Sequence, residues 1–219
     1  MPKINIAIDG PVGSGKTTIG RLVAQKLNYQ FLDSGLLFRH FARFCQAKNV
    51  STQPSPDRTI ELCSEWQSRF LIDNPEIAVQ LEQQRDILGS EKIGNLASQL
   101  AIIKELRTII LNCQRLLTQN KGWVVVGRDI TSEVLPQAEV KIFLTASWEV
   151  RIRRRYQQHQ GKINQEQVEK DLLARDEKDK NRILSPLRKT ADSWELDTTH
   201  LSPAESIVRI LDYIKAKKY

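Results

Sequence analysis

Cysteine is scarce in this chain of 219 residues, which contains only Cys45, Cys63 and Cys113 and no CxxC pair. Zinc sites and disulfide frameworks need paired or closely spaced cysteines, so the sequence disfavours both. Unpaired thiols are typical of proteins in a reducing compartment. We therefore expect free thiols and a cytoplasmic location.

Long hydrophobic runs are also missing from the sequence. No segment approaches the roughly 18 apolar residues that cross a membrane. The apolar stretch near the N-terminus is interrupted at Asp9, which argues against a signal peptide. These two absences predict a protein without a membrane partner.

Aromatic residues make up 6% of the chain, which leaves few side chains for stacking on nucleic-acid bases. The net charge of +7 nevertheless indicates an anionic partner, such as nucleic acid, nucleotide phosphates or an acidic membrane surface. A guanine-recognition sequence of the NKxD type is missing, which argues against a GTPase, and the chain is short for a helicase.

Short apolar runs predict five β-strands, near residues 4–8, 29–33, 123–126, 140–145 and 194–197. Apolar residues at helical spacing predict a helix over 16–27. Strands that alternate with helices favour a parallel sheet covered on both faces. A capping box at Ser202 and Glu205 begins the last helix. Its predicted buried stripe consists of Ile207, Val208, Leu211 and Ile214.

Residues 41–93 have a different character, because they are polar and Gln-rich and contain no strong strand pattern. We interpret this segment as an α-rich insertion. The segments 1–40 and 94–219 then form the core of an α/β protein.

A glycine-rich stretch, GPVGSGKTT, lies between the first strand and the first helix and matches G-x-x-x-x-G-K-[ST]. Glycines let the backbone wrap closely around a phosphate, and amide groups at the start of the helix point at the anion. Lys16 would reach the outer phosphates, and the Thr17 hydroxyl would bind Mg²⁺. The predicted ATP site comprises Gly10, Val12, Gly13, Ser14, Gly15, Lys16, Thr17 and Thr18.

Arginines follow two of the predicted strands, where the ends of parallel strands face a ligand crevice. Ser34 with Arg39 would bind an acceptor phosphate; alternatively, Ser34 caps a helix and Arg39 is solvated. Arg128 and Asp129 would hold a phosphate and a base or metal; alternatively, they form a surface ion pair.

Two further arginine groups lie in the last third of the chain. Positive charge at the start of a helix opposes the helix dipole, so a phosphate-facing lid would explain Arg151, Arg153, Arg154 and Arg155 better than stability does. The alternative is a basic solvated face. Arg175, Asp179 and Arg182 share one helix face, which suits either sugar hydroxyls and a phosphate or a surface salt-bridge ladder.

The ordered set of motifs resembles the bacterial cytidylate kinases, over residues 1–39 and 94–211. The motifs are IAIDGPVGSGKTT, FLDSG with Arg39, GNLASQ, GRDI, LPQAEVKIFLTAS, RDEKDKNR and LDTTHLS. The resemblance implies an α/β, P-loop nucleoside-monophosphate-kinase-like fold of three layers, with a five-stranded parallel sheet and the insertion 41–93 as acceptor-binding subdomain. It also implies ATP-dependent phosphorylation of CMP or dCMP to the diphosphate, with Mg²⁺ as cofactor.

The resemblance also implies roles for individual residues. Ser34, Arg39, Arg128 and Arg182 would bind the acceptor phosphate, and Ser98, Arg107 and Asp129 would bind the cytosine. Arg175 and Asp179 would hold the sugar hydroxyls. The implied catalytic residues are Lys16, Arg128 and the arginines of a short lid near 151–165, namely Arg151, Arg154 and Arg155.

Several positions depart from the family pattern. Phe38 replaces the usual Tyr, Leu36-Leu37 is bulkier than usual, and Thr131-Ser132 replaces Gly-Thr. Lys104 replaces a frequent Pro, which removes a reason for the helix to break between Ser98 and Arg107. These departures motivate one rival function, a similar kinase acting on UMP or a non-nucleotide. The net charge motivates another, a nucleic-acid-binding NTPase. The lack of an obvious exposed apolar stripe favours a monomer.

Overall fold

The computed structural model describes residues 2–50, 55–71, 74, 76–158 and 164–217. The predicted lid, 151–165, includes residues 159–163, which lie outside this part of the chain. The chain divides into a core unit, Met1–Leu32 with Lys121–Tyr219, and a helical unit, Asp33–Asn120. Among the described residues, no helix has the length and apolar character needed to span a membrane.

The core unit is built on a five-stranded sheet. Its strands are β1 (Ile6–Asp9), β2 (Gln30–Asp33), β3 (Trp123–Gly127), β4 (Val140–Thr145) and β5 (Trp194–Asp197), in the order β2-β3-β1-β4-β5. The central strand β1 pairs in parallel with β3 and β4, so that Ile8 lies opposite Val126 on one side and Ile142 on the other. The α/β class and the five-stranded parallel sheet predicted from the sequence are confirmed.

The helices of the core unit are α1 (Lys16–Leu27), α8 (Trp148–Gln158), α9 (Gln165–Asn181) and α10 (Pro203–Ala216). The loop after β3 contains a π-helical turn, Ile130–Val134. Fully buried β-branched residues of β1, β3 and β4 form the main apolar core with side chains of α1 and α10. This core holds the carboxyl ends of the strands, and the loops that follow them, in fixed positions.

Helix α10 begins as predicted, because Ser202 and Glu205 form a reciprocal capping box. Its predicted stripe is partly wrong. Ile207 and Ile214 are buried, but Val208 is 57% exposed and Ile210 is buried instead. Ile207, Ile210 and Ile214 follow the i, i+3, i+7 spacing of a single helix face, and Val208 lies one residue off it.

The helical unit contains the helices α2 (Ser34–Ala47), α3 (Pro56–Phe70), α4 (Ile77–Gln83), α5 (Arg85–Leu88), α6 (Glu91–Leu100) and α7 (Lys104–Thr118). The predicted α-rich character of the insertion is confirmed. The compact unit is wider than the predicted segment 41–93, because α2 packs against α6 and α3 packs against α7. The acceptor-binding role of the insertion stays a prediction.

An aromatic cluster stabilises the contact between α2 and α3. The Phe41 and Trp66 rings pack edge to face with centroids 5.3 Å apart, and the Trp66 indole Nε1 donates to His40 Nδ1 at 2.9 Å. Burial lowers the pKa of His40, and the nearby Arg43 lowers it further, so His40 is a neutral acceptor at physiological pH.

Candidate active site

The glycine-rich stretch forms a loop between β1 and α1 whose backbone requires glycine. A Cβ atom at Gly10 would lie 2.2 Å from the Leu144 carbonyl oxygen, so a side chain there would collide with β4. Gly13 and Gly15 adopt left-handed angles, with φ of 77° and 90°. The loop therefore ends at the first turn of α1, the part of a helix that favours an anion.

Two polar side chains of this loop, Lys16 and Ser14, are buried. Lys16 is buried, and its Nζ donates to the Pro11 carbonyl oxygen at 3.0 Å across the loop. The Ser14 hydroxyl is buried and has no hydrogen-bond partner among the described residues. Buried polar atoms normally have partners, so this hydroxyl fits a loop that closes around a polar ligand. Thr17 is half-buried in the first turn of α1, and Thr18 is exposed.

Asp9, at the end of β1, anchors the loop that follows β3. Its buried carboxylate accepts hydrogen bonds from Ile130 N at 2.9 Å, Thr131 N at 2.8 Å and Thr131 Oγ1 at 2.7 Å. Burial raises the pKa of Asp9, and the hydrogen bonds act in the opposite direction. The Thr131 hydroxyl, a departure from the family pattern, thus helps to position the segment immediately after Arg128 and Asp129.

Two arginine–carboxylate pairs lie beside this anchored loop. Arg128 Nε donates to Asp179 Oδ2 at 2.7 Å, and both side chains are 16% exposed. Arg182 Nη2 lies 3.4 Å from Asp129 Oδ2. The structure therefore brings together four residues that are predicted to bind the acceptor. It does not support the alternative of a surface salt-bridge ladder along α9, because Asp179 pairs with a residue from the loop after β3. The prediction that Arg182 shares a helix face with Arg175 and Asp179 is wrong, because α9 ends at Asn181 and the backbone of Arg182 is extended.

The charge on Asp179 is stabilised by its arginine neighbours. Burial alone would raise its pKa, but Arg128, Arg175 and Arg182 hold the pKa below its ordinary value. Asp179 is therefore ionised at neutral pH. A carboxylate that accepts hydrogen bonds beside guanidinium groups can bind sugar hydroxyls while the arginines bind phosphate.

The arginines at the start of α8 have different environments. Arg151 is buried and forms an ion pair with Asp176 on α9. Arg154 donates to the Thr198 hydroxyl at 2.9 Å and the Thr198 carbonyl at 2.8 Å, and it reaches the carbonyl oxygens of Gly13 and Ser14 at 3.4 Å. The alternative of a basic solvated face is wrong for these two residues. The Asp176 carboxylate holds Arg151, and oxygen atoms of Thr198 and of the phosphate-binding loop, residues 10–15, hold Arg154.

The other two arginines of this group, Arg153 and Arg155, lie nearer the surface. Arg153 is exposed, and Arg155 Nη1 donates to the Gln158 side chain at 3.1 Å on the surface. The predicted lid roles of Arg151, Arg154 and Arg155 stay predictions.

The helical unit holds the remaining predicted acceptor residues. Ser34 begins α2 and is buried, while its neighbour Asp33 caps the helix by accepting from Gly35 N at 3.1 Å. The alternative of Ser34 as the cap is therefore wrong. Arg39 Nη1 donates to the carbonyl oxygens of Leu88 at 2.7 Å and Ser90 at 3.3 Å.

The two predicted base-binding residues of this unit, Ser98 and Arg107, lie on separate helices. Helix α6 ends at Leu100 and α7 begins at Lys104, so the helical conformation is interrupted between them although no proline is present. Arg107 Nη1 donates to the Ala101 carbonyl at 3.1 Å, and its guanidinium lies 5.6 Å from the centre of the Phe38 ring. Phe38, another departure from the family pattern, thus gives Arg107 a cation–π partner.

Sequence reasoning missed four residues that hold site residues in place: Asp9, Asp176, Thr198 and Gln114. An acid at the end of an apolar strand was a signal for Asp9. Asp176 lies in the charge-rich run ARDEKDKNR, where the sequence does not distinguish a buried acidic residue from an exposed one. Thr198 and Gln114 contact residues that are far away in the sequence.

The donor set of the core unit suits Mg²⁺ that arrives with a nucleotide. Among the described residues there is no group of three or more His, Cys, Asp or Glu side chains that would hold a metal alone. Magnesium typically takes one or two protein ligands and completes its shell with phosphate oxygens and water. The Thr17 hydroxyl, in the first turn of α1, stays the predicted protein ligand.

Comparisons with known proteins identify the family of this chain. The sequence model of the family described as cytidylate kinase matches residues 6–216. The chain is 37% identical to the cytidylate kinase of Mycoplasma capricolum, covering 92% of this chain and 91% of that protein. It is 38% identical to the cytidylate kinase of Halalkalibacterium halodurans, covering 99% and 100%. It is 35% identical to that of Thermotoga maritima, covering 97% of each.

A comparison with solved structures supports the fold alone. An uncharacterized protein from Eubacterium ventriosum superposes with a TM-score of 0.56 at 13% sequence identity, covering 98% of this chain and 99% of that one. The family match over almost the whole length and the sequence identities above carry more information than this superposition. The chain therefore belongs to the cytidylate kinase family of ATP-dependent phosphotransferases.

Proposed function

We propose that this enzyme transfers the γ-phosphoryl group of Mg·ATP to CMP or dCMP, giving ADP and CDP or dCDP. The observation that carries the proposal is the loop between β1 and α1, where Lys16 and a backbone that requires glycine lie at the start of a helix. This arrangement suits the triphosphate of ATP. Its proposed ligands are Gly10, Val12, Gly13, Ser14, Gly15, Lys16, Thr17 and Thr18.

The acceptor site is proposed to divide the nucleotide among three sets of residues. Ser34, Arg39, Arg128 and Arg182 bind the phosphate, because guanidinium groups neutralise it with directed hydrogen bonds. Asp179 and Arg175 bind the sugar hydroxyls. Ser98, Arg107 and Asp129 bind the cytosine. The pairing of Arg128 with Asp179 supports the neighbouring roles given to these two residues.

The chemistry requires positioning and charge neutralisation rather than a strong general base. The phosphate oxygen of the acceptor is already an anion near neutral pH, so it attacks the γ-phosphorus directly and ADP leaves. We assign Lys16, Arg151, Arg154 and Arg155 to the donor side, where they would neutralise the charge that spreads over the phosphoryl oxygens. Mg²⁺, held by Thr17, supplies further positive charge when it is bound.

Further parts of the proposal concern partners and location. We propose that the enzyme works as a monomer in the cytoplasm and that nucleic acid is not a partner. The low aromatic content supports the last point, because few side chains are available for base stacking. Stimulation of ATP hydrolysis by RNA or DNA, with binding that weakens steeply as salt rises, would contradict it.

Substitution of Lys16 tests the catalytic assignment. We expect Lys16→Met to lower kcat by roughly 10²–10³-fold, the cost of removing one group that stabilises developing charge. Lys26→Met is the matched control, because Lys26 is exposed at the far end of the same helix. The readout is the transfer of labelled γ-phosphate to CMP. Full activity of the Lys16 variant would refute the assignment.

A further inference from the structure

A buried hydrogen bond joins α7 to the first residue of α2. The Gln114 side-chain Nε2 lies 2.6 Å from Ser34 Oγ, and the two residues are 2% and 4% exposed. The residues are 80 positions apart in the sequence. We infer that Gln114 is a positioning residue that directs the Ser34 hydroxyl toward the acceptor phosphate. This inference rests on the role proposed above for Ser34.

The surroundings of Gln114 indicate that its amide serves to form a hydrogen bond. The buried face of α7 consists of Leu106, Ile110, Gln114 and Thr118 at four-residue spacing. An apolar side chain at position 114 would continue this stripe without the cost of burying an amide. The amide is stable there because it has a hydrogen-bond partner, and that partner is Ser34.

The direction of the hydrogen bond determines what Ser34 can do. A serine hydroxyl carries one proton and two lone pairs. Because the Gln114 N–H donates to Ser34 Oγ, one lone pair is used and the hydroxyl proton remains available for another acceptor. Phosphate oxygen is such an acceptor, and a hydrogen bond to a charged group is among the stronger ones in proteins.

The position of Ser34 makes an anion a suitable acceptor for this proton. Ser34 is the first residue of a helix of 14 residues, and Asp33 caps that helix through Gly35 N. The start of a helix of this length favours negative charge. Because Gln114 donates to Ser34, it would act on the acceptor through Ser34.

Two substitutions of Gln114 test this inference. Gln114→Met keeps the approximate volume and removes the hydrogen bond. Gln114→Glu replaces the donor with a carboxylate that only accepts, so the Ser34 proton turns toward position 114. We expect both variants to raise the KM for CMP, roughly tenfold for Met and more for Glu, while the KM for ATP stays unchanged. If Gln114→Glu does not fold because it buries a charge, Gln114→Met still gives the measurement.

A double-mutant cycle separates positioning from a general effect on structure. In a Ser34→Ala background, Gln114→Met should raise the KM for CMP no further, because the hydroxyl that it orients is gone. Thr118→Val is the matched control. It removes a buried hydroxyl on the same helix face, which donates to the backbone carbonyls of Gln114 and Arg115, and it should lower stability without changing either KM.

The possible outcomes distinguish this inference from the proposed function. If Ser34→Ala raises the KM for CMP and the Gln114 variants do not, the inference is overturned and the kinase assignment stands. Equal increases in the KM for CMP and for ATP would also overturn it, because they would indicate a structural effect. A wild-type enzyme that does not phosphorylate CMP would overturn the proposed function itself.

Discussion

Arg151 Nη1 lies 2.6 Å from Asp176 Oδ2, and both side chains are almost completely buried. The pair connects α8 to α9, and the backbone of Arg151 lies against Gly13 in the phosphate-binding loop. The Arg151 guanidinium also lies 5.2 Å from the ring centre of Trp148. A buried charge pair of this kind fixes the position of α8 beside the loop.

Removal of one partner should therefore destabilise the protein. We expect Asp176→Asn to lower the free energy of unfolding by about 3 kcal/mol, because it leaves the Arg151 charge buried without a counter-charge. The measurement is urea unfolding followed by circular dichroism. Glu177→Gln, an exposed neighbour on the same helix, is the control and should change stability by less than about 0.5 kcal/mol. Equal effects of the two substitutions would contradict this account.

The contribution of Asp179 to stability should depend on pH. Its pKa in the folded chain is lower than in the unfolded chain, because Arg128, Arg175 and Arg182 outweigh the effect of burial. The unfolded chain therefore takes up the proton more readily. The stabilisation is complete above about pH 4 and is lost as pH falls through the folded pKa.

Unfolding measurements between pH 7 and pH 3 check this prediction. The difference in unfolding free energy between wild type and Asp179→Asn should be largest at neutral pH and should shrink below about pH 4. Asp171→Asn, which changes an exposed carboxylate on α9, should show a small difference throughout. If the difference for Asp179→Asn stays constant down to pH 3, the ion pair does not titrate as described.

Gly94 on α6 should control the position of Arg39. A Cβ atom at this position would lie 2.8 Å from Arg39 Nη2, so Gly94→Ala must displace the guanidinium, which is the movable end of a long side chain. We expect an increase of roughly tenfold in the KM for CMP, through the loss of a charged hydrogen-bonding group. Stability should not fall, because alanine favours the helix by about 1 kcal/mol over glycine.

Steady-state kinetics with two controls isolate this effect. Asn95→Ala makes a similar change in helix propensity at an exposed neighbour and should leave the KM for CMP unchanged. In an Arg39→Ala background, Gly94→Ala should have no further effect on the KM for CMP. If the KM for CMP of the Gly94→Ala variant equals that of the wild type, the Arg39 guanidinium does not need the space beside Gly94 to bind CMP.

The buried cysteines should be unreactive in the native state. Burial raises the pKa of Cys45 to about 12 and the pKa of Cys63 to about 11, and both residues are 1% exposed. Less than about a thousandth of either thiol is thiolate at pH 8. In a Cys113→Ser variant, Ellman's reagent should detect no thiol before unfolding and two afterwards. Rapid labelling of the native protein would contradict the burial of these residues.

Local sequence patterns predicted the elements that depend on local physics. The β-branched residues of β1, β3 and β4 suit fully buried parallel strands, and the glycines before Lys16 suit a loop with left-handed backbone angles. The capping box at Ser202 depends on residues three positions apart. Each of these features requires only neighbouring residues, so the sequence alone was sufficient.

Contacts between distant residues were the ones that sequence reasoning missed. Gln114 resembles a surface residue of an amphipathic helix until its partner Ser34 is known. Asp176 is one acid in a charged run, and only the packing of α8 on α9 shows that it is buried with Arg151. The interruption between α6 and α7 occurs without a proline, so no residue type in the sequence predicted it. Tertiary packing decided the environments of Gln114 and Asp176.

The most direct test of the central claim is ADP production from Mg·ATP with CMP, dCMP, UMP, AMP, GMP or no acceptor, measured side by side. We expect rapid ADP production with CMP and dCMP, and little ADP production with the other acceptors or with no acceptor. Preference for another acceptor, or ATP hydrolysis that no acceptor stimulates, would contradict the roles given to Ser98, Arg107 and Asp129 and with them the proposed function.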